Sequence, residues 1–221
     1  MTEALDYARS LGASDAAAEV SESRGLSVSV RNQDIETVEQ TRDRSLDVTV
    51  FAGTQRGSAS TSDFSRKALR ETVDAAWHIA KYTAADPAAG LPDADFLAFE
   101  YPDLHLYSPW DVTTEKAVQK ALKAEKAARA VSPLITNTDG ASVSTFEGHF
   151  VLGNTRGFMG GFPYTRHGIS VAPIAGQGEN MQRDYWYSAA RDPKHLAKAS
   201  KVGRYAAHRS LARLSARRIK T

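Results

Sequence analysis

The residues that would most readily carry chemistry in this chain are its histidines, and their spacing does not favour a metal site. A zinc peptidase commonly has two histidines one helical turn apart, with a glutamate to activate the bound water. The six histidines are His78, His105, His149, His167, His195 and His208. No two are three or four residues apart, none precedes a glutamate, and the chain has no cysteine. We therefore predict no metal ligand, and a site assembled from distant histidines is the alternative.

Serine is the other potential nucleophile, and its surroundings do not match those of a hydrolase. The sequence has no Gly-x-Ser-x-Gly elbow, no Gly-x-Gly-x-x-Gly motif after a strand and no Gly-Lys-Ser/Thr phosphate loop. Ser58, Ser60 and Ser62 alternate along a predicted strand and are interpreted as a solvated face. We accordingly predict no catalytic residue and no cofactor-binding residue.

Positive charge is concentrated near the end of the chain, although the whole sequence has a formal net charge of only +2. No acidic residue follows Asp192, whereas the basic residues after it include Arg217, Arg218 and Lys220. Five others form a candidate basic surface on a predicted helix: Lys198, Lys201, Arg204, Arg209 and Arg213. They could contact phosphates of a nucleic acid, or form a solvated or protein-facing helix surface. The sequence has no recognisable nucleic-acid motif, which favours the second interpretation.

Aromatic residues form a second candidate surface, suited to contact with another protein because aromatic side chains are enriched at interfaces. The candidate interface residues are Phe158, Phe162, Tyr164, Tyr185, Trp186 and Tyr187. The last three are consecutive, so on a strand they would alternate between its two faces. We expect one of those faces to lie in the core. The other face is either a contact surface or also part of the core, and the second interpretation is favoured.

The elements that must position these residues are predicted from hydrophobic periodicity to form an α+β fold. The pattern indicates two consecutive helix–antiparallel strands–helix units, with mixed or antiparallel sheets flanked by helices. In the second unit, Ala117, Ala121, Ala124 and Ala128 line one face of a helix, on which Glu125 and Arg129 are spaced as an i,i+4 ion pair. A stretch rich in proline separates the units. We predict an N-terminal domain over residues 1–84, a linker over 85–110 and a central domain over 111–221.

Composition is ordinary for a soluble globular protein, with 221 residues, 42% hydrophobic and 24% charged. No apolar run approaches the roughly 20 residues of a membrane-spanning helix. Glu3 and Asp6 stand where a signal peptide would be basic and then apolar. We expect a cytoplasmic protein.

Seven segments, in their order and spacing, resemble the PmbA/TldE family of the TldD/PmbA superfamily over essentially the whole chain. They are residues 21–32, 36–39, 57–62, 85–92, 137–142, 154–161 and 181–187. Asn-Thr-Arg-Gly-Phe at 154–158 and Gln-Arg-Asp-Tyr-Trp-Tyr at 182–187 favour the TldE branch over TldD. Family chains continue into a β-rich C-terminal domain, so we expect this chain to be an engineered fragment or a truncated product that lacks it.

The resemblance implies a non-catalytic subunit of a TldD/TldE-type zinc metallopeptidase assembly acting on unfolded peptides. The zinc motif, His-Glu-x-x-x-His, belongs to TldD, so the resemblance implies zinc only in a TldD-type partner and no activity for this chain alone. Members are also described as modulators of DNA gyrase. The alternatives are a gyrase- or nucleic-acid-associated binding module using the basic helix, and an independent hydrolase with an unrecognised site. The expected partners are a TldD-type protein and peptide substrates, not nucleic acid or membrane; a homo-oligomer is left open.

Overall fold

A computed structural model describes residues 1–216. Arg217, Arg218 and Lys220, which belong to the basic end of the sequence, lie outside the described residues. The helices are α1 (Thr2–Ser10), α2 (Arg66–Tyr82), α3 (Thr114–Arg129) and α4 (Ala199–Ala212). The strands are β1 (Asp15–Arg31), β2 (Asp34–Ala52), β3 (Gln55–Thr61), β4 (Ile135–Asn154), β5 (Met159–Ala175), β6 (Gln182–Arg183) and β7 (Trp186–Ala190). Short 3-10 turns occur at Ala94–Phe96, Gly178–Asn180 and Pro193–His195. The predicted α+β class and its order of helix, strands and helix, repeated once, are confirmed.

The strands form a seven-stranded sheet in the order β3-β2-β1-β4-β5-β6, with β7 also paired to β5. Strands β2 and β3 are antiparallel, with Leu46 opposite Thr61. Strands β5 and β7 are also antiparallel, with His167 opposite Ala190 and Val171 opposite Trp186. The predicted antiparallel pairing is therefore found at both of these ladders.

Two compact units divide the chain, and each is assembled from separated segments. The first contains Met1–Ser23, Arg42–Leu106 and Gly148–Pro163; the second contains Arg24–Thr41, Tyr107–Glu147 and the chain from Tyr164 onward. Strands β1, β2, β4 and β5 each contribute residues to both units. The domains predicted at 1–84, 85–110 and 111–221 stay a prediction. Each compact unit combines separated segments, so the units do not test boundaries along the sequence.

The core of the first unit lies between α1, α2 and strand residues that alternate toward the helices. Its fully buried members include Ala4, Ala8, Val48, Val50 and Val73. Gly57 of β3 lies so close to α2 that an added Cβ would overlap the carbonyl oxygen of Ala76. Glycine at this position therefore allows β3 to pack directly on the helix backbone.

The core of the second unit lies between one sheet face and the helices α3 and α4. The predicted alanine stripe of α3 is buried, from Ala117 to Ala128. On α4, Gly203 meets Ala124 of α3, and an added Cβ would overlap the Ala124 carbonyl oxygen. Small residues on both helices therefore permit a close crossing. Among residues 1–216, no helix is long and apolar enough to cross a membrane.

The predicted ion pair between Glu125 and Arg129 is wrong. Glu125 is fully buried, and its carboxylate accepts hydrogen bonds from the main-chain nitrogens of Asn32 (2.9 Å) and Gln33 (2.7 Å). Arg129 instead donates to the Asn32 side-chain oxygen at 3.1 Å. The main-chain N–H groups of the turn between β1 and β2 need hydrogen-bond acceptors. Glu125 serves as their acceptor and does not form an ion pair on the helix surface.

Candidate functional site

A cleft of about 390 Å³ opens on the sheet of the second unit. Its lining comes from β4 (Ser142, Ser144, Phe146), from β5 (Arg166, His167, Gly168, Ile169, Ser170) and from the segment entering and forming β7 (Tyr185, Tyr187, Ser188, Ala189). Strand alternation explains the polar lining. Val143, which lies between Ser142 and Ser144, and Val171, which follows Ser170, are buried in the core with α3 and α4. Their neighbours Ser142, Ser144 and Ser170 therefore face the opposite side of the sheet.

Hydroxyl groups form the floor of the cleft. The Ser142 and Ser170 hydroxyl oxygens are 2.8 Å apart and hydrogen bond across β4 and β5. A Cβ at Gly168 would lie 3.2 Å from the Ser144 hydroxyl oxygen, so glycine leaves that hydroxyl room. Ser188 accepts a hydrogen bond from the Ala197 main chain at 2.9 Å. The floor is therefore polar, small-residue and internally hydrogen bonded.

Arg166 gives the cleft its charge. The lining contains no carboxylate, and the Arg166 side chain is exposed. Elsewhere in this unit, Arg24 pairs with Glu147 at 2.8 Å and Arg209 with Asp184 at 3.2 Å. Within the described part of the chain, Arg166 has no such ion pair. Neither this residue nor the lining serines were predicted from the sequence, although the alternation along β4 and β5 indicates which of their side chains share a face.

The consecutive aromatic residues Tyr185, Trp186 and Tyr187 are all exposed, at 51%, 37% and 53%. The expectation that one face of this segment lies in the core is therefore wrong. Trp186 instead packs on the outer surface of α4, with its ring 4.5 Å from that of Tyr205 and the Arg209 guanidinium 5.3 Å from its centre. The rings of Tyr185 and Tyr187 lie 6.4 Å apart at 17° and line the cleft.

Asp184 holds this aromatic segment against α4. Its carboxylate accepts from the Tyr185 main-chain nitrogen at 2.7 Å and pairs with Arg209 at 3.2 Å and Arg213 at 3.6 Å. These partners, the Tyr185 amide first, lower the pKa of Asp184 below its ordinary value, against the opposing effect of desolvation. The Asp184 main-chain nitrogen also donates to the Ser210 hydroxyl at 3.1 Å. The segment before β7 is thus fixed at its base.

The candidate basic residues Lys198, Lys201, Arg204, Arg209 and Arg213 are all exposed on or beside α4. Asp184 pairs with Arg209 and Arg213, which reduces the positive charge at that end of the helix. The other three have no ion pair among residues 1–216. Their contact with any partner stays a prediction.

The other candidate interface aromatics are separated between the units. Phe158 contacts Phe99 at 6.3 Å and Phe162 contacts Phe150 at 4.8 Å, both in the first unit. Tyr164 contacts Phe146 at 5.7 Å in the second. Their role at an interface also stays a prediction.

The motif Asn-Thr-Arg-Gly-Phe ties parts of the first unit together. The Asn154 side-chain oxygen accepts from the main-chain nitrogens of Arg156 (2.9 Å) and Phe158 (3.1 Å), closing the turn between β4 and β5. Arg156 donates to the Asp15 carboxylate at 2.7 Å and to the Pro92 carbonyl oxygen at 2.9 Å. The motif thereby fastens the start of β1 and the proline-rich stretch to this turn.

His167 is the fully buried histidine of the second unit. Its Nε2 lies 2.9 Å from the Ser108 carbonyl oxygen and its Nδ1 lies 2.8 Å from the Thr145 hydroxyl. A carbonyl oxygen only accepts, so Nε2 carries the proton and the Thr145 hydroxyl donates to Nδ1. Both ring nitrogens are therefore occupied by structural hydrogen bonds. Across residues 1–216, no group of three or more His, Cys, Asp or Glu side chains is arranged to hold a metal ion, so the described residues do not fit a zinc site.

Two family models match the chain. The PmbA/TldA metallopeptidase domain 1 matches residues 16–80, and the PmbA/TldA metallopeptidase central domain matches residues 107–214. Metalloprotease PmbA of Escherichia coli O157:H7 is 42% identical over 91% of this chain and 45% of its own length. A PmbA homolog of Haemophilus influenzae is 39% identical over 99% of this chain and 48% of its own length. The chain thus spans about half the length of the curated relatives it matches.

Solved structures show the same fold. A protein of Bacteroides thetaiotaomicron, described as a modulator of DNA gyrase, has a TM-score of 0.91 and 24% identity, covering 99% of this chain and 50% of that chain. TldE from Thermococcus kodakarensis has a TM-score of 0.78 and 15% identity, covering 96% of this chain and 47% of that chain. At these identities the likeness establishes the fold alone.

Proposed function

Because the chain belongs to the PmbA/TldD metallopeptidase family, we propose that it is a non-catalytic part of a TldD/TldE-type zinc metallopeptidase assembly acting on unfolded peptides. In this proposal the zinc belongs to a TldD-type partner, and this chain contributes peptide-contacting surface. No catalytic step is assigned to its residues.

The main observation behind the non-catalytic role is that the buried ionisable side chains are engaged in hydrogen bonds and ion pairs within the chain. A general base or metal ligand must present a lone pair to the substrate or metal. Glu125 gives its carboxylate to the turn at Asn32 and Gln33. His167 has both ring nitrogens in hydrogen bonds, and Asp184 binds Tyr185 and Arg209. These hydrogen bonds and ion pairs hold strands and helices in place and leave no free lone pair on the two His167 ring nitrogens.

The contribution to peptide binding is supported by the cleft of the second unit. Tyrosine rings and small hydroxyl side chains contact extended peptides through apolar area and adaptable hydrogen bonds, largely independently of sequence. Tyr185 and Tyr187 are exposed over the cleft while the residue between them is packed on α4. A surface of this kind suits an assembly that accepts unfolded chains of many sequences.

The proposal is tested by a peptide-release assay with the TldD-type protein of the same organism. That protein is combined with this chain or with a full-length TldE-type chain, each with and without a zinc chelator. We expect no release by this chain alone and chelator-sensitive release by the full-length pair. Turnover by the isolated chain, and above all turnover that resists the chelator, would refute the non-catalytic role. Co-elution of this chain with the TldD-type protein in size-exclusion chromatography tests the partnership separately.

The alternative function is a nucleic-acid-associated module, and the observation in its favour is the exposed, unpaired basic charge on α4. Lys198, Lys201 and Arg204 have no acidic partner within the described residues. Phosphate contacts by these residues would make binding weaken as the salt concentration rises. The same helix is as well suited to a solvated or protein-facing role, and a DNA-binding titration over salt separates the two.

A further inference from the structure

We propose that the cleft over β4, β5 and β7 is a subsite for a peptide carboxylate, with Arg166 binding the carboxylate and Tyr185 and Tyr187 holding the adjoining peptide segment. This inference rests on the proposed function, since it names the group that the peptide-contacting surface selects. The carboxylate can be an acidic side chain or the C-terminal carboxylate of a peptide.

Charge complementarity is the first argument. Arg166 is the charged side chain of a lining that contains no carboxylate. Arg24 and Arg209, in the same unit, each lie within 3.2 Å of a carboxylate oxygen, whereas Arg166 has no carboxylate partner in residues 1–216. A guanidinium presents a planar fork of donors that matches a carboxylate in two parallel hydrogen bonds. The group best suited to the open side of this cleft is therefore a carboxylate brought by a ligand.

The shape of the cleft limits what the ligand can be. A volume of about 390 Å³ lies near the lower end of the range typical of small-ligand pockets, roughly 300 to 1,000 Å³. The floor consists of short side chains, and one of the Ser142 and Ser170 hydroxyls donates to the other. The accepting hydroxyl keeps a proton that it can donate to a peptide carbonyl oxygen. A short peptide segment can lie over this floor without leaving a buried polar group unpaired.

The two tyrosines supply the remaining contact. Their rings are 6.4 Å apart at 17°, and both are more than half exposed. The Tyr185 main chain is fixed by Asp184 at 2.7 Å, and Trp186 is packed against Tyr205 of α4. The rings therefore have anchored backbones, which lowers the entropy lost when a ligand orders them. They are placed to pack against a peptide plane or side chain next to the carboxylate.

The test is fluorescence anisotropy of labelled peptides with the intact chain. One series compares an N-acetylated, C-amidated peptide containing one glutamate with its glutamine counterpart. A second compares a peptide without acidic side chains, as the free C-terminal acid and as the amide. These two arms distinguish a side-chain carboxylate from a terminal one. We expect the acid member of at least one pair to bind about tenfold more tightly, as for a charge-assisted hydrogen bond.

Variants assign the effect to the cleft. Arg166→Gln should abolish the preference for the acid, and Arg166→Lys should restore only part of it because the ammonium lacks the planar fork. The matched control is Arg204→Gln, an exposed arginine of α4 outside the lining, which should leave the preference unchanged. Tyr187→Ser should weaken acid and neutral peptides alike. Circular dichroism confirms that each variant is folded.

Several results would overturn this inference. They are equal affinity within both peptide pairs, no peptide binding by the folded chain, or an acid preference that survives Arg166→Gln. Arg166-dependent binding of single-stranded DNA that exceeds peptide binding would assign the cleft to phosphate instead. None of these results would indicate catalytic activity in this chain. Turnover by the chain alone would refute the proposed function while leaving the carboxylate preference measurable.

Discussion

The carboxylate of Glu125 on α3 accepts a hydrogen bond from the main-chain nitrogen of Gln33, 92 residues earlier in the chain, at 2.7 Å. The neighbouring Asn32 nitrogen donates to the other carboxylate oxygen at 2.9 Å. Asn32 and Gln33 both have positive φ, 54° and 67°, as in the tight two-residue turns that join antiparallel strands. The turn amides point away from the strand ladder, and a buried carboxylate satisfies them. Helix α3 and the β1–β2 turn are thereby locked together.

Replacing Glu125 with glutamine should destabilise the protein by about 2–3 kcal/mol, because an uncharged amide accepts more weakly and its NH2 group would face main-chain donors. The free energy of unfolding is measured by urea titration followed by circular dichroism. The matched control is Glu71→Gln on α2, whose carboxylate is exposed and should change stability by less than about 0.5 kcal/mol. A Glu125→Gln protein as stable as the control would show that the turn does not depend on this carboxylate.

Gly203→Ala should destabilise the second unit, although the same change in an open helix stabilises by about 1 kcal/mol. The added methyl group would overlap the Ala124 carbonyl oxygen of α3, so the helices must separate at a cost of about 1–3 kcal/mol. Gly90→Ala is the control, because a Cβ there meets nothing within 4 Å. The melting temperatures of the two variants should move apart, with Gly203→Ala well below the parent. An unchanged or higher melting temperature for Gly203→Ala would contradict the close crossing.

Asp184 should make stability depend on pH in the acid range. Its pKa is lowered in the folded state by the Tyr185 amide and by Arg209 and Arg213. Because the pKa is lower in the folded state, the ionised carboxylate contributes its full stabilisation above the unfolded-state pKa of about 3.9. This stabilisation is lost as the pH falls through the folded-state pKa. The Asp184→Asn variant should therefore lose less stability than the parent between about pH 4 and pH 2. Unfolding free energies across that window provide the measurement, with the exposed Asp111→Asn as control; parallel curves for parent and Asp184→Asn would refute the linkage.

Zinc should not bind stoichiometrically to the purified chain. His167, the buried histidine, already has its Nε2 on the Ser108 carbonyl and its Nδ1 on the Thr145 hydroxyl. Metal binding would need one of these hydrogen bonds to break and further ligands to converge. Elemental analysis after dialysis against buffer containing zinc and then metal-free buffer should find well under one zinc per chain. About one retained zinc per chain, lost in a His167→Gln variant that remains folded, would contradict this expectation.

The sequence predicted what depends on local periodicity. The alanine stripe of α3 repeats at helical spacing and is buried as expected, and alternating strands pair antiparallel. Contacts over long sequence separations could not be predicted in this way: the partners of Glu125 are 92 and 93 residues distant. Alternation also says only that Tyr185 and Trp186 face opposite sides. It does not show that the Trp186 side chain packs on the outer surface of α4. In that arrangement both Tyr185 and Trp186 are exposed.

DNA binding through α4 should be weak, independent of sequence and modest in its salt dependence. Asp184 already pairs with Arg209 and Arg213, so in the described part of the chain three of the five candidate basic residues are left without an acidic partner: Lys198, Lys201 and Arg204. Three phosphate contacts on duplex DNA correspond to a slope of about −2.7 in a plot of log affinity against log salt concentration.

The measurement is fluorescence anisotropy with a labelled duplex between 50 and 200 mM salt. The changes Lys198→Gln, Lys201→Gln and Arg204→Gln combined should flatten the slope toward zero, whereas Arg209→Gln, the matched control, should change it little. A slope steeper than about −5, or tight binding to one duplex over scrambled competitors at physiological salt, would contradict the expectation. The triple variant then decides which interpretation of the helix holds. If it abolishes that tight binding, the helix is a nucleic-acid surface; if binding survives, the contacts lie elsewhere and α4 keeps its solvated or protein-facing role.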